Sequence, residues 1–444
     1  MPLNLLLVNP NRKRPSLPPI GLDYLFDAVK SQGHQIKLFD FGMEHPRGLK
    51  PVIEQNRPDV IGITVRNLDD VDIFRQQEFV TPLSRWINTI RKITDVPIVL
   101  GGIGFSFMPR EVMERTKADF GIIGDGEQTF PLLLDKLSSP QVVPNLYYRE
   151  QTGGREEIRF TFREIRPFEG TDTYSRAMVD NQGYYSLGNG GNIQSIRGCN
   201  YRCVYCPEPQ ITGRKLRPRD PEKVVDELEI LADMGIDQKI FFVDSEFNLL
   251  PGHSQQIVEA IIKRGVRVEW SCTMMPGNVS FDLLSKMKKA GCGLIIWSTD
   301  TVAEVMTANL RKDFGVDDVF KASEYCDRAG LAYHHNLLFG GPGEEIETID
   351  ETFHNIEQMN PDFVGISAGI RIYPNTQLHQ IALKEGVLSP EDSLLYPVYY
   401  KEEYVKKRLW PYLIKKFGGN KRYILNGVRI DMNVKKHLSR HLSV

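Results

Sequence analysis

The segment Ile196-Arg-Gly-Cys199-Asn-Tyr-Arg-Cys203-Val-Tyr-Cys206-Pro207 places three cysteines in one short loop. Their spacing is C-x3-C-x2-C, and the aromatic residue Tyr205 precedes the last cysteine. Iron–sulfur cubanes are held by cysteine thiolates, normally four of them. Because this loop supplies only three, one iron would remain free to bind another molecule. We therefore predict that Cys199, Cys203 and Cys206 are metal ligands.

Two other uses of clustered cysteines are less favoured by the sequence. A structural zinc site normally completes four ligands with a second pair of cysteines or histidines. Here Cys272, Cys292 and Cys326 stand alone, and the next histidine, His253, has no second histidine at zinc-finger spacing. A disulfide scaffold is less favoured still, because six cysteines in 444 residues is ordinary usage for a reducing compartment.

Length and charge limit the class of protein. A chain of 444 residues exceeds what one hydrophobic core usually supports, so two or three domains are expected. The formal charge of −2 gives no reason to expect a nucleic acid or a membrane as partner. The apolar run near Met1 is too short for a signal peptide or a membrane span. We expect a cytoplasmic protein.

The first third of the chain alternates strand-like and helix-like segments. Leu5–Val8 is a continuous apolar run, which is typical of a strand buried on both faces of a parallel sheet. Alternation as far as about Leu137 predicts a doubly wound sheet, in which ligands bind beyond the carboxyl ends of the strands. The loops at those ends supply candidate binding residues, since glycine lets the backbone approach a ligand closely. These candidates are Asn9, Gly101, Gly102, Gly124, Gly126 and Glu127.

The cysteine motif with its aromatic Tyr205 resembles the cluster motif of the radical S-adenosylmethionine (radical SAM) enzymes. The resemblance implies that the free iron binds the methionine part of S-adenosylmethionine, that an electron from the cluster cleaves a carbon–sulfur bond, and that Tyr205 belongs to the cofactor site. It also implies a (βα) barrel after the motif, and the sequence beyond Cys206 has the required alternation.

Three further segments resemble the cobalamin-binding domain that precedes the barrel in one branch of this family. They are Pro18–Leu22, Val99–Gly102 and Gly124–Phe130. The Asp-x-His-x-x-Gly ligand motif of some cobalamin-binding domains is absent from the sequence. Two interpretations therefore stay open: a domain that binds cobalamin without a protein histidine, and a sheet that has kept the fold without the cofactor.

The expected fold is α/β, with four segments. Residues 1–140 form a Rossmann-like domain of the cobalamin-binding type, and residues 141–187 form a linker with a small hairpin. Residues 188–384 form a partial (βα)6 radical SAM barrel, and residues 385–444 form a C-terminal helical cap.

The resemblance also assigns cofactor-binding roles at the ends of the barrel strands. Asp244, Ser245 and Glu246 match the position that holds the amino group of S-adenosylmethionine; capping of a helix is the alternative role for this trio. Arg311, or its neighbour Lys312, is a candidate partner of the methionine carboxylate. The remaining assigned residues are Ser298, Gly340, Gly341, Pro342 and Gly343.

Three residues are candidates for direct roles in catalysis. Trp297 stands where relatives commonly have a glutamate, so an aromatic substrate wall is one interpretation. Cys272 lies near the end of the third barrel strand, where one role for a thiol is to donate a hydrogen atom or bind a soft atom; an inert buried cysteine is the alternative. Arg371, after the sixth strand, is expected to face the substrate.

By resemblance, the leading activity is methylation of an unactivated carbon or a phosphinate phosphorus of a small metabolite. Cofactors would be a 4Fe–4S cluster, S-adenosylmethionine and cobalamin, with a flavodoxin or ferredoxin as electron donor. One alternative is a cobalamin-independent reaction: a rearrangement, a ring closure, or transfer of the aminocarboxypropyl group to arsenic or sulfur. Another is a non-catalytic cluster or cobalamin sensor.

Overall fold

A computed structural model describes residues 2–13, 17–167 and 174–425. The chain divides into two compact units. The first comprises Met1–Asp70 and Gln77–Asn189, and the second comprises Val71–Gln76 and Gly190–Val444. The short segment Val71–Gln76 belongs to the second unit because Ile73 is buried in that unit's apolar core.

The first unit is built on a seven-stranded sheet with the order β2-β1-β3-β4-β5-β6-β7. Strands β1 to β5 are parallel, as predicted. The strands are β1 Asn4–Asn9, β2 Gln35–Asp40, β3 Val60–Thr64, β4 Ile98–Gly101, β5 Phe120–Ile122, β6 Leu146–Thr152 and β7 Arg155–Phe160. The helices are α1 Ile20–Lys30, α2 Leu49–Asn56, α3 Val80–Arg91, α4 Ile103–Phe107, α5 Pro109–Thr116, α6 Gly126–Asp135 and α7 Asn181–Ser186, with 3-10 turns at Pro46–Gly48 and Pro140–Val142.

The apolar run of β1 is buried because helices cover both faces of a doubly wound sheet. Leu5 and Leu7 pack with Val60 and Phe130 in one core cluster. The predicted hairpin is present as β6 and β7, but it pairs antiparallel with β5. Residues that we expected to form a linker therefore add two strands to the first sheet.

The second unit contains seven parallel strands in the order β16-β15-β14-β13-β12-β11-β8. Six of them are the expected barrel strands. A separate antiparallel pair, β9 and β10, flanks the cysteine loop. The strands are β8 Asn192–Ile193, β9 Ile196–Arg197, β10 Arg217–Pro218, β11 Ile240–Phe242, β12 Trp270–Met274, β13 Cys292–Asp300, β14 Ala332–Phe339, β15 Phe363–Ala368 and β16 Tyr423–Leu425.

Helices follow the barrel strands and cover their outer face. They are α8 Glu208–Ile211, α9 Pro221–Asp233, α10 Pro251–Arg264, α11 Phe281–Lys289, α12 Glu304–Asn309, α13 Val316–Ala329, α14 Ile346–Glu357 and α15 Gln377–Lys384. The predicted C-terminal helical stretch consists of α16 Glu402–Tyr404, a π-helical turn Val405–Leu409 and α17 Trp410–Phe417. Strand β16, which the sequence analysis did not predict, then pairs with β15. Residues 426–444 of the expected cap lie outside the described residues. Within the described part of the chain, no helix is both long enough and apolar enough to span a membrane.

Candidate active site

The cysteine loop begins directly after β9. Gly198 has a φ of +91°, and a side chain there would overlap the carbonyl oxygen of Lys215. The Cys199 amide donates a hydrogen bond to the Gly213 carbonyl at 3.0 Å. The loop's sharp entry therefore depends on glycine and on its contact with the segment before β10.

The three cysteines are free thiols, of which Cys199 is buried and Cys203 and Cys206 are half-buried. Burial, together with the neighbouring Cys203 thiol, raises the pKa of Cys199 and Cys206 to about 12. A metal centre stabilises thiolates where an apolar environment does not. Among the described residues, no three His, Cys, Asp or Glu side chains are grouped as one metal ion would require. A cubane instead binds each thiolate to a different iron, and three free thiols from one loop match that donor set.

The centre of the loop is fixed from two sides by backbone hydrogen bonds. The Val204 amide donates to the Leu310 carbonyl at 3.2 Å, and its carbonyl accepts from the Leu378 amide at 2.8 Å. Leu310 follows α12 and Leu378 is in the first turn of α15. Two distant parts of the barrel thus hold Val204, which lies between Cys203 and Cys206.

Tyr205 and Lys312 meet at Asp300, the last residue of β13. The Lys312 ammonium lies 2.8 Å from Asp300 Oδ2 and 3.9 Å from Cys203 Sγ. The Tyr205 hydroxyl donates to the same carboxylate oxygen. The side chain of Lys312 is 1% exposed, whereas that of Asp300 is 11% exposed. An ion pair of low solvent access therefore adjoins one cluster cysteine.

Glu246 is the member of the predicted trio that retains a free acceptor. Its residue is 8% exposed, and Oε2 is buried without a hydrogen-bond partner. Burial raises its pKa to about 8, although a hydrogen bond with Ser298 and the charge of Lys312 act in the opposite direction. A buried carboxylate oxygen without a partner is costly unless a cation reaches it. Glu246 therefore fits the amino group of S-adenosylmethionine.

The other two members of the trio contact the protein itself. Asp244 accepts hydrogen bonds from the Ser195 amide at 2.7 Å, the Ser195 hydroxyl at 2.6 Å and the Ile196 amide at 3.0 Å. Ser245 donates to Glu208 Oε1 at 3.4 Å. Asp244 thus positions the strand that leads into the cysteine loop, and it does not cap a helix.

Side chains of β13 alternate between the barrel interior and the covering helices. Ser298 contacts Glu246, and Asp300 contacts Lys312. On the opposite face, the Thr299 hydroxyl lies 2.7 Å from His335 Nδ1, and His335 Nε2 lies 3.1 Å from the Ser323 hydroxyl of α13. Odd-numbered residues at this end of β13 therefore face outward.

This alternation places Trp297 away from the predicted substrate wall. Its side chain is fully buried and lies beside the Cys326 thiol of α13. The physical reason is the period of two along a strand, which puts Trp297 and Ser298 on opposite faces. Trp297 is thus a core residue between sheet and helices.

Cys272 is likewise placed in the core. Cys272 and Met274 are fully buried, and Trp270 is almost fully buried. Thr273, which points to the other face of β12, is half-buried. Burial and the adjacent Cys292 thiol raise the pKa of Cys272 above its ordinary value. Because this thiol is packed among core residues, the alternative of an inert buried cysteine describes it better than that of a hydrogen donor.

The two arginine candidates occupy different environments. Arg371 is buried and donates to the Leu394 carbonyl at 3.1 Å, while its guanidinium lies 4.5 Å from the centre of the Tyr373 ring. It holds the segment that follows α15. Arg311 is exposed, so the adjacent Lys312 is the cation that the structure brings to the cysteine loop.

The turn after β14 contains the predicted glycines. Gly340 and Gly343 have φ values of +95° and +81°, which favour glycine. A side chain on Gly341 would approach Leu310 Cδ2 at 2.9 Å, and the Pro342 carbonyl accepts from Asn309 Nδ2 at 3.1 Å. The glycines therefore allow the turn to pack against the end of α12, beside the cysteine loop.

The candidate ligand residues of the first unit gather at the carboxyl edge of its sheet. Asn9 donates to Asp40 at 2.9 Å and is buried. Gly102 has a φ of +95°, and Gly124, with a φ of +74°, donates to the Ser106 hydroxyl at 3.0 Å. These residues shape the loops.

Two other glycines at this edge are open in the sense that an added Cβ would make no contact closer than ordinary van der Waals distance. A Cβ on Gly101 would have its nearest neighbour at 3.9 Å, and one on Gly126 at 3.6 Å. Gly126 and the half-buried Glu127 begin α6. Backbone at such open positions can be approached by a flat ligand, as a cobalamin site requires.

Sequence reasoning missed two features of the barrel. The first is Asp300, to which the sequence analysis gave no role, although counting in steps of two from Ser298 places it on the inward face. His334 and Asn336 share the face opposite to His335; Asn336 is exposed, and His334 Nδ1 is buried without a partner. Gly365 on β15 leaves room for this amide, because a Cβ there would lie 2.6 Å from Asn336 Oδ1.

Comparisons with known proteins agree with this geometry. The family model of the radical SAM superfamily matches residues 193–356, and that of the B12 binding domain matches residues 14–134. A tryptophan 2-C-methyltransferase of Streptomyces laurentii is 27% identical over 83% of this chain and 72% of its own length. An uncharacterized methyltransferase of Pyrococcus horikoshii is 24% identical over 84% of this chain and 80% of its own length.

A solved structure supports the same assignment. The radical S-adenosylmethionine methyltransferase TsrM from Kitasatospora setae, with cobalamin and a [4Fe-4S] cluster bound, superposes with a TM-score of 0.80 at 27% identity, covering 88% of this chain and 76% of that one. Both domains of the predicted architecture are thus matched in order along the chain. The protein is an enzyme and belongs to the radical S-adenosylmethionine enzymes of the branch that carries a cobalamin-binding domain.

Proposed function

We propose that this enzyme methylates an unactivated carbon or a phosphinate phosphorus of a small molecule. As a radical SAM enzyme with a cobalamin-binding domain, it uses a 4Fe–4S cluster, S-adenosylmethionine and cobalamin. The observation that carries the proposal is the buried, unpartnered Oε2 of Glu246 next to a three-cysteine loop, in a chain whose first unit has open glycines at the carboxyl edge of its sheet. The methyltransferases among its relatives support the same activity.

Each part of the site has a proposed role. Cys199, Cys203 and Cys206 would hold the cluster, which supplies one electron to S-adenosylmethionine when bound. Glu246 would accept hydrogen bonds from the cofactor's amino group and so orient it. The open backbone at Gly101 and at Gly126 would lie against cobalamin. A flavodoxin or ferredoxin would deliver the electron.

The inward face of the barrel is the proposed substrate surface. Its polar groups include Ser298, the exposed amide of Asn336 and the half-buried Ser367. An amide offers both a donor and an acceptor. A substrate with a neighbouring donor and acceptor, such as an amide, a carboxylic acid or a nitrogen heterocycle, would match this lining. Trp297 and Cys272 are the residues whose chemistry would favour the cobalamin-independent alternative, and both lie outside this face.

Two measurements test the proposal. Anaerobically purified protein with a reconstituted cluster is mixed with hydroxocobalamin, and bound corrinoid is measured by ultraviolet–visible absorption. We expect near-stoichiometric binding, and failure to bind any corrinoid would overturn the proposal.

The second measurement follows the fate of S-adenosylmethionine labelled in its methyl group, with L-tryptophan as the first acceptor because one relative is named for it. Label in a methylated product, with 5′-deoxyadenosine and S-adenosylhomocysteine formed, supports methylation. Methylthioadenosine would instead indicate aminocarboxypropyl transfer.

A further inference from the structure

The ion pair between Lys312 and Asp300 lies beside a cluster cysteine and has little access to solvent. The ammonium is 2.8 Å from Asp300 Oδ2, 3.9 Å from Cys203 Sγ and 5.5 Å from the centre of the Phe314 ring. The Lys312 side chain is 1% exposed. Its charge is therefore held at one point by a carboxylate, a sulfur atom and an aromatic face.

A fixed charge at this distance acts on the cluster. The reduced cluster carries one more negative charge than the oxidised cluster, so a nearby cation stabilises it and a nearby anion destabilises it. Such interactions are strong where water does not screen them. Net charge and hydrogen bonds to the sulfurs are the known determinants of cluster potential.

The two members of the pair act unequally. Lys312 contacts the cysteine sulfur, whereas Asp300 reaches the cysteine loop through Lys312 and through the Tyr205 hydroxyl. The cation therefore has the more direct effect. The Asp300 carboxylate keeps the ammonium in place and offsets part of its charge.

We propose that Lys312 raises the reduction potential of the iron–sulfur cluster bound at Cys203, and that Asp300 positions Lys312 and limits this effect. The step concerned is uptake of one electron by the cluster from a low-potential one-electron donor, and it breaks no bond. The inference rests on the cluster of a radical SAM enzyme and is independent of the methyl acceptor. Both residues are positioning residues, since they act through the cluster ligand.

The test is a redox titration of the cluster in the full chain, without S-adenosylmethionine. Reconstituted wild type, Lys312→Met and Asp300→Asn are titrated with dithionite, and the reduced cluster is followed by electron paramagnetic resonance. For Lys312→Met we expect a shift to lower potential, with the equilibrium constant for reduction reduced at least about tenfold, which is 59 mV for one electron. For Asp300→Asn we expect a shift to higher potential.

Potential shifts of opposite sign distinguish an effect of charge from structural damage. Damage to the cysteine loop would not be expected to raise the potential in one variant and lower it in the other. Lys312→Arg keeps the charge and should stay near wild type. Tyr205→Phe removes a hydrogen bond to Asp300 without changing the charge. Its shift in reduction potential should therefore be smaller than that of Lys312→Met or Asp300→Asn. Iron content is measured for every sample.

Shifts of the same sign in Lys312→Met and Asp300→Asn, or an unchanged potential in Lys312→Met, would overturn the proposal. If Lys312→Met fails to hold a cluster, Asp300→Asn decides alone: a potential equal to or below that of wild type would then refute it.

Discussion

Glu344, in the turn after β14, is a carboxyl group whose environment favours the neutral form. Its residue is 4% exposed, and burial raises its pKa to about 7. Hydrogen bonds from the Thr348 hydroxyl at 2.5 Å and from the Gly340 amide at 3.4 Å only partly offset that burial. In the unfolded chain the same group has its ordinary pKa near 4.5. Folding and protonation of Glu344 are therefore linked.

The linkage predicts how stability depends on pH. Below the unfolded pKa both states are protonated, and as pH rises toward 7 only the unfolded state loses the proton. Glu344 therefore lowers the stability of the folded enzyme progressively between about pH 4.5 and 7, by about 3 kcal/mol at most. In Glu344→Gln the fall in melting temperature between pH 5 and pH 8 should be shallower than in wild type. The exposed Glu347, changed to Gln, is the matched control; equal slopes in all three proteins would contradict the prediction.

The sequence was sufficient to identify the candidate residues at the end of β11. It was not sufficient to tell which carboxylate binds the cofactor and which one holds the protein backbone. Asp244 and Glu246 are both carboxylates on one loop, and either could be written as a cofactor ligand. Three hydrogen bonds to Ser195 and Ile196 engage Asp244, while Glu246 Oε2 is left without a partner. That division depends on contacts with residues some 50 positions away, which no local pattern contains.

At the scale of elements, strand direction decides which side chains line the barrel. Trp297 on β13 faces the helices, whereas Asn336 on β14 faces the interior. The match of Trp297 to a family glutamate suggested an aromatic substrate wall, but the structure puts this side chain on the opposite face of β13, beside Cys326. Pairing between β13 and β14 shifts register between Trp297 and Asp300, and Asp300 has a φ of +62°. Despite this irregularity, Ser298 and Asp300 still share the inward face, so the alternation holds to the end of the strand.

The two faces predict a contrast in stability. Trp297→Ala empties a fully buried site and should lower the free energy of unfolding by about 3–5 kcal/mol. Asn336→Ala removes an exposed amide and should change it by about 0.5 kcal/mol or less. Thermal unfolding of the two variants and wild type, at equal iron content, measures the contrast. A loss in Asn336→Ala as large as that in Trp297→Ala would show that the assignment of the two faces is wrong.

At the scale of the whole molecule, the sequence predicted both α/β units and the order in which they occur. Apolar parallel strands and the cysteine motif were sufficient for this, since both are local patterns. The extent of the first unit was harder to predict: β7 and the second half of β6 are largely exposed, and the hairpin joins the unit through the pairing of β6 with β5 and the burial of Leu146 and Tyr148 in its core. Strand β16 was not predicted because a strand of three residues is too short to show a periodic pattern.

Two compact units predict that the two metal-containing cofactors can be lost separately. Gly101 ends β4, and a Cβ there would make only an ordinary van der Waals contact at 3.9 Å, so Gly101→Leu should fold normally while its side chain occupies the space proposed for cobalamin. Bound corrinoid should fall at least about tenfold, which corresponds to about 1.4 kcal/mol, with iron and melting temperature unchanged.

Cys203→Ala should give the reverse result: loss of the cluster with corrinoid binding retained. Corrinoid absorption and iron content measured on the same samples test both arms. If Gly101→Leu binds corrinoid as wild type does, the carboxyl edge of the first sheet is not the cobalamin site; if Cys203→Ala loses corrinoid as well, the two cofactors depend on each other.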